Sequence, residues 1–128
     1  MGYAVIAGKN QNRKMEFKRT NSDGYMTLSL TGDLIGEERG IDLISVVNDS
    51  IDEGYNQGVV DISGVRYINS SGIGVLITIL TKFRNKNGEL YLLKPSESVQ
   101  KLLIITKLNA IFNIVDSIEE VRDKISNN

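Results

Sequence analysis

The sequence predicts a single α/β domain, built on a mixed β-sheet of about four to five strands with about four helices. Residues 15–30 alternate apolar and polar side chains around a turn, which indicates an antiparallel hairpin. Residues 59–93 follow a strand, helix, strand pattern, which indicates a parallel crossover. A length of 128 residues with 41% hydrophobic content allows one domain with a substantial core and leaves too little chain for two.

An N-terminal extension is predicted over residues 1–14, with the folded domain over residues 15–128. The extension mixes glycine, asparagine, glutamine and basic residues, a composition typical of a loosely packed arm. Its short apolar patch has no basic residue before it and no long apolar stretch after it, so neither a secretory signal nor a membrane span is supported. We therefore expect a cytoplasmic protein without membrane association.

The hairpin is followed by a first helix, predicted over about 38–53. The hairpin strands are expected at 15–19 and 25–30, joined by an Asn-Ser-Asp-Gly turn, and a tight turn at Gly32 is expected to end the second strand. Gly54 is well placed to end the helix in a left-handed conformation. The apolar positions that recur at helical spacing are Leu43, Ile44, Val47 and Ile51.

The central crossover begins with a short β-branched strand at 59–62, which is typical of a strand buried on both faces. A polar loop is expected to follow it. A strongly apolar helix then starts near Ser71, and an Asn-Gly pair ends it before a strand over 89–93. Because such crossovers are nearly always right-handed, the start of this helix is expected at the carboxyl edge of the sheet.

Three further elements are predicted towards the C-terminus. Ser96 is the expected N-cap of a third helix, and residues 112–115 can form a last short strand. Ser117 and Glu120 are spaced as a capping box at the start of a fourth helix. The inward faces of these two helices are expected to carry Val99, Leu102 and Leu103, and Ile118, Val121 and Ile125, respectively.

Composition excludes several classes of chemistry. The chain has no cysteine and no histidine, which removes disulfides, thiolate nucleophiles, Cys/His zinc sites and histidine-based triads. The net charge of -1 gives no overall field that would attract nucleic acid or an anionic membrane. Asp61 is interpreted as a carboxylate that orders a loop. We therefore expect no enzyme activity, no metal and no cofactor, and a protein or small-ligand partner.

Two hydroxyl groups stand where the second helix would begin. Asn69, Ser70 and Ser71 are strong helix-capping types, so on physical grounds alone capping is their simplest role. A phosphate there would also be favoured by free backbone N–H groups and by the positive helix end, and it would present new negative charge to a partner. Gly72 and Gly74 lack the rest of a nucleotide-binding fingerprint. We interpret Gly72 as leaving the turn exposed and Gly74 as packing the helix against a strand.

Three motifs, in order and in approximate spacing, resemble the STAS domain of bacterial anti-sigma factor antagonists. The central one is Asn-Ser-Ser-Gly-Ile-Gly at residues 69–74. Leu-Thr-Gly-Asp-Leu precedes it at 30–34, and Val-x-x-Leu-Leu follows at 99–103 with an Ile-Phe pair at 111–112. The resemblance spans roughly residue 15 to the C-terminus and implies a STAS-type fold.

The resemblance implies a binding protein that is switched by phosphorylation. By position Ser70 would accept the phosphate, with Ser71 as second choice. The unphosphorylated form would sequester an anti-sigma factor that is also a serine kinase, a serine phosphatase would restore that form, and the protein would be a monomer or a weak dimer. The residues expected to bind the partner are Asp33, Asn69, Ser70, Ser71, Gly72 and Ile73.

The sequence departs from the family pattern at three positions and leaves other functions open. Asn69 replaces a more frequent Asp, Lys107 stands where Gly is common, and Ile35 stands where many relatives carry a polar residue. One alternative is a constitutive interaction subunit of a larger signalling or transport-linked assembly without phosphate control. Another is a nucleotide-responsive sensor, which the glycine-rich turn alone would favour.

Overall fold

The computed structural model describes residues 3–5, 15–35 and 37–126. Within these ranges it has six strands and four α-helices, so the predicted α/β class with a mixed sheet is confirmed, with one strand more than expected. The strands are β1 (Tyr3–Val5), β2 (Glu16–Ser22), β3 (Tyr25–Leu34), β4 (Gln57–Ile68), β5 (Glu89–Leu93) and β6 (Asn113–Val115). The helices are α1 (Glu37–Asp52), α2 (Ser70–Arg84), α3 (Glu97–Ile105) and α4 (Ile118–Ser126), with a short 3-10 helix at Leu108–Ala110.

The six strands form one sheet in which spatial order follows chain order. β1, β2 and β3 are antiparallel neighbours, whereas β3, β4, β5 and β6 run parallel. Each parallel connection contains a helix, and because the order never reverses, right-handed crossovers place these helices on the same face. Leu43 of α1, Leu76 of α2 and Leu103 of α3 accordingly share one hydrophobic cluster.

The opposite face of the sheet is covered by α4. Val121 of this helix is fully buried, and Ile118 and Ile125 pack beside it, as their spacing predicted. The residues of β5 are shared between both faces: Leu90 and Leu92 belong to the larger cluster, and Tyr91 and Leu93 to the smaller one. Burial on both sides explains why residues 90–93 carry only apolar and aromatic side chains.

The largest difference from the sequence prediction lies in β4. It runs to Ile68 instead of ending near residue 62, so the predicted polar loop is part of the strand. β3 also continues past Gly32, whose φ is +96°, and pairs with this extension as far as Leu34. Two register shifts interrupt the pairing, which breaks the alternation of buried and exposed side chains that identifies a strand in a sequence.

Helix ends follow the sequence signals closely. Gly54 has a φ of +105° just after α1, as the stop signal predicted. The Ser96 hydroxyl accepts a hydrogen bond from Val99 N–H at 3.3 Å. The Ser117 hydroxyl accepts one from Glu120 N–H at 3.2 Å, while the Glu120 carboxylate accepts from Asp116 N–H at 2.7 Å, one residue earlier than in a standard capping box.

Two regions that depart from expectation are explained by the backbone. Tyr3–Val5 pairs antiparallel with β2, so this part of the predicted arm is an edge strand, whereas residues 6–14 lie outside the described residues. Lys107 has a φ of +63°, the left-handed region that side chains other than glycine adopt at a cost of about 1 kcal/mol. This geometry supplies a physical reason for the glycine that the family resemblance leads one to expect there.

Candidate partner-binding site

The start of α2 is attached to the end of β3 as well as to β4. Asn69, the N-cap, accepts a hydrogen bond on its side-chain oxygen from Gly72 N–H at 2.8 Å. Its own backbone N–H donates to the carbonyl oxygen of Leu34 at 3.3 Å. The capping role expected for this segment is therefore carried by Asn69, and both serines lie within the helix.

Ser70 is the first residue of α2 and is exposed, while Ser71 is partly buried. The first intrahelical hydrogen bond runs from Ile73 N–H to the Asn69 carbonyl oxygen at 2.9 Å. The N–H groups of both serines precede that bond, so they belong to the set that a helix leaves unpaired at its start. The Ser70 hydroxyl thus stands in solvent at the positive end of an apolar helix, where negative charge is favoured.

The two glycines of this turn have the reverse of their predicted roles. A Cβ atom on Gly72 would lie 2.2 Å from the Leu34 carbonyl oxygen and 3.0 Å from Ile68 Cγ2, so Gly72 is the residue that permits close packing of helix and sheet. A Cβ atom on Gly74 would meet no atom within 4 Å, and this residue is exposed. The prediction that Gly74 packs against a strand is wrong. Because α2 begins at Ser70, Gly72 faces the sheet and Gly74 faces solvent.

Removing the N-cap side chain should destabilise the fold modestly. We expect Asn69→Ala to lower the free energy of unfolding by about 1 kcal/mol, because Gly72 N–H loses its acceptor. Asn69→Asp, which restores the residue more frequent in the family, should retain the wild-type value because a carboxylate caps equally well. Urea denaturation of the three proteins measures this. Equal stability of Asn69→Ala and wild type would show that the cap is not a stabilising contact.

An open groove of about 560 Å³ lies beside Ser70, between the end of β4, the start of α2 and one side of α3. The apolar side chains on its walls come from all three elements, and Tyr67 stands at the end of β4 with 56% of its surface exposed. The lining residues are Arg66, Tyr67, Ile68, Asn69, Ser70, Ile73, Ser98, Val99, Leu102 and Thr106.

Asp33 is linked to this groove through an arginine. Arg66 Nη2 lies 3.0 Å from Asp33 Oδ1 and 3.2 Å from Asp33 Oδ2, so both carboxylate oxygens accept from the same nitrogen. Arg66 lines the groove, whereas Asp33 does not.

Asp61 has a structural role in β4. Its carboxylate accepts hydrogen bonds from the backbone N–H and the hydroxyl of Ser63, at 3.0 and 2.7 Å, and so stabilises the first bulge of the strand. This agrees with its interpretation as a carboxylate that orders the backbone.

The structure brings most of the predicted site residues together. Asn69, Ser70 and Ile73 line the groove, and Ser71 and Gly72 complete the same turn. Sequence reasoning missed Arg66, Tyr67 and the α3 contribution. An exposed aromatic side chain a few residues before the serines was a usable signal, but its meaning depended on knowing that β4 extends to this point.

The described residues include no group of three or more acidic side chains that could hold a metal ion. Among the same residues, no helix has the length and apolar character needed to cross a bilayer.

Comparison with known proteins supports one family. The model of the STAS domain matches residues 16–121. A Thermotoga maritima protein named as an anti-sigma factor antagonist is 31% identical over 80 residues, which cover 62% of this chain and 71% of that relative.

Solved structures show the same architecture. A crystal structure of an anti-sigma factor antagonist from Thermotoga maritima superposes with a TM-score of 0.73 at 27% identity, covering 86% of this chain and 94% of the other. The Bacillus cell fate determinant SpoIIAA, in its phosphorylated form, gives 0.65 at 17% identity, covering 85% and 98%, and this likeness shows the fold alone. From the extent of the family match and the curated relative, the chain belongs to the STAS domain family of anti-sigma factor antagonists.

Proposed function

We propose that this protein is a phosphorylation-switched anti-sigma factor antagonist with Ser70 as the phosphoacceptor. The observation that carries the proposal is the exposed hydroxyl of Ser70 at the first position of α2, beside a groove with apolar walls. The relative with the anti-sigma factor antagonist name supports the class of partner. The choice of Ser70 as acceptor follows from its position in the family motif, and its exposure at the start of α2 supports that choice.

The unphosphorylated protein would dock its partner on the surface around the start of α2. Tyr67, Ile73 and Leu102 provide apolar contact area there, and exposed aromatic side chains are common anchors of protein interfaces. Ser70 itself adds no charge. A partner side chain can therefore cover this region without desolvating an unpaired ion, and we assign the predicted residues Asp33, Asn69, Ser70, Ser71 and Ile73, with Tyr67, to this surface. The predicted residue Gly72 is buried against Leu34, so it shapes the turn and is not itself a contact residue.

Phosphorylation would change the charge at the centre of this surface without changing the fold. The phosphate adds about -1.5 to -2 charges at neutral pH. It faces the favourable end of α2, so the isolated protein accommodates it. A partner covering the same spot would have to desolvate that charge, which is costly unless matched by cations. Binding should therefore fall while stability does not.

The partner in this scheme is an anti-sigma factor that also acts as a serine kinase. It transfers the γ-phosphoryl group of ATP to the Ser70 oxygen, releasing ADP and the hydroxyl proton. A serine phosphatase later hydrolyses the phosphoester with one water molecule, which restores the Ser70 hydroxyl and releases inorganic phosphate. This protein supplies no catalytic group to either step. We place the cycle in the cytoplasm, where the kinase has access to ATP, and we assign no nucleic acid, cofactor or membrane partner.

Phosphate transfer tests the assignment directly. Incubation with the cognate kinase and ATP should give one phosphopeptide that contains Ser70, detected by mass spectrometry. Ser70→Ala should abolish labelling, whereas the matched variant Ser71→Ala should retain it, because only the Ser70 side chain is exposed in this turn. Labelling that moves entirely to Ser71 would contradict the choice of acceptor. An absence of labelling with retained binding would support the constitutive interaction subunit instead.

A further inference from the structure

Arg66 is the charged side chain nearest to the proposed phosphoacceptor in the groove. Among the ten described residues that line the groove, it alone carries a charge. Its guanidinium is engaged by Asp33, but 55% of the Arg66 side chain remains exposed, compared with 17% for Asp33. The arginine therefore has one face committed to a carboxylate and another open to the space that Ser70 also borders.

We propose that phosphate on Ser70 draws Arg66 away from Asp33, so that the Asp33–Arg66 ion pair is the resting position of an arginine exchange. The inference rests on the proposed function, since it requires a phosphate at Ser70. It adds a regulatory part to that function. Arg66 receives the phosphate, and Asp33 acts as a positioning residue that holds the arginine at the rim of the groove until then.

Charge and geometry favour the phosphate over the carboxylate as the partner of Arg66. A phosphate dianion carries about twice the charge of a carboxylate and offers three acceptor oxygens, to which a guanidinium can bind in a bidentate manner. In the present pair a single nitrogen, Nη2, serves both Asp33 oxygens, so the fork of the arginine is not fully used. The Asp33 side chain is only 17% exposed, so leaving its carboxylate without the arginine has a cost, which the interaction of Arg66 with the phosphate must offset.

The exchange would change the partner-binding surface at two points. In the resting state Arg66 and Asp33 neutralise each other. After the exchange the arginine compensates part of the phosphate charge, and the Asp33 carboxylate loses its cation. Negative charge then appears both at Ser70 and at the end of β3, which spreads the repulsive change beyond a single side chain. By this route Asp33 would take part in the site although it does not line the groove.

The test installs phosphoserine at position 70 by genetic encoding, so that it does not depend on a kinase. A phosphorus NMR titration then measures the pKa of the phosphoserine, which is about 6 without neighbours. We expect Arg66 to hold it lower, because a cation favours the dianion, and Arg66→Gln to raise it by about half a unit. Arg66→Lys should restore most of the lowering. A pKa unchanged by Arg66→Gln would overturn the proposal.

The chain offers a matched control at the other end of α2. Arg84 Nε pairs with Glu89 Oε1 at 3.0 Å, and their side chains are 46% and 25% exposed, so this pair resembles that of Arg66 and Asp33. It lies about 20 Å along the helix from Ser70, beyond the screening length in physiological salt. Arg84→Gln should leave the pKa of the phosphoserine unchanged. If Arg84→Gln shifted the pKa as much as Arg66→Gln does, both shifts would reflect only the overall charge of the protein. That result would overturn the assignment of Arg66 as the partner of the phosphate.

Asp33→Asn distinguishes an exchange from a fixed ion pair. If Arg66 already leaves Asp33 for the phosphate, the pKa change caused by Arg66→Gln should be similar in the wild-type and Asp33→Asn backgrounds. If Arg66 stays with Asp33, the change should be small in wild type and appear only in Asp33→Asn, which would contradict the exchange. Failure of kinase labelling would contradict the proposed function. It would not affect these pKa measurements, because the phosphoserine is genetically encoded, so the two proposals can be refuted separately.

Discussion

Ser70→Asp is expected to weaken binding to the anti-sigma factor by about a hundredfold or more. When the anti-sigma factor covers this surface, the new carboxylate must lose its water with no partner group placed to pair with it. A hundredfold loss of affinity corresponds to about 2.7 kcal/mol. The same charge lies at the first position of α2, where it is favoured, so thermal stability should stay unchanged or rise slightly. Calorimetric titration and thermal melts of the two proteins measure both effects.

Two control variants test whether the loss of binding depends on a charge at position 70, or whether losing the hydroxyl or adding a charge elsewhere would have the same effect. Ser70→Ala should bind as wild type, because the hydroxyl makes no hydrogen bond within the described residues that binding would need to replace. Thr81→Asp adds the same charge to an exposed position of the same helix, about 16 Å further along its axis, and should also bind normally. Unaltered binding by Ser70→Asp would refute the switch and favour the constitutive interaction subunit.

Gly72→Ala is expected to destabilise the protein by about 3 kcal/mol. The added Cβ would lie 2.2 Å from the Leu34 carbonyl oxygen, and this contact involves backbone on both sides, so no side chain can rotate to relieve it. That carbonyl also accepts from Asn69 N–H, so a shift that relieved the clash would disturb the attachment of α2 to β3. Urea denaturation should show a lower midpoint with a similar slope.

Gly74→Ala, two residues further along α2, is expected to have the opposite effect on stability. The position is exposed, helical and open, so alanine should raise the free energy of unfolding by about 0.5–1 kcal/mol through its higher helix propensity. If both variants lost the same stability, the packing assigned to Gly72 would be wrong. If Gly72→Ala folded normally but bound the partner less well, the turn would matter for recognition alone.

The helices and the buried strands were predictable because their signals are local. The first helix was predicted at 38–53 and lies at Glu37–Asp52, and the strand over 89–93 was predicted to the residue. Caps at Ser96 and Ser117 also have the predicted hydrogen bonds. Each of these features depends on the periodicity or capping chemistry of a few neighbouring residues, which a sequence displays directly.

The extension of β4 was not predictable in the same way. Residues 63–68 mix polar residues and a glycine with Val65, Tyr67 and Ile68, and two bulges remove the alternation that identifies a strand. Their pairing is supplied by the end of β3, more than thirty residues earlier in the chain. The same long-range pairing places Asp33 against Arg66 and Tyr67 beside Ser70, so the two missed residues of β4 depend on it.

The sequence by itself determined the fold class, the order of the elements and the hydroxyl at the start of α2. Those properties follow from side-chain chemistry at short separation along the chain. Only the tertiary structure decided which glycine packs against the sheet, which cation accompanies Asp33 and which part of α3 closes the groove beside Ser70. Such features are set by distances between elements that are far apart in sequence, and the packing of the whole core determines those distances.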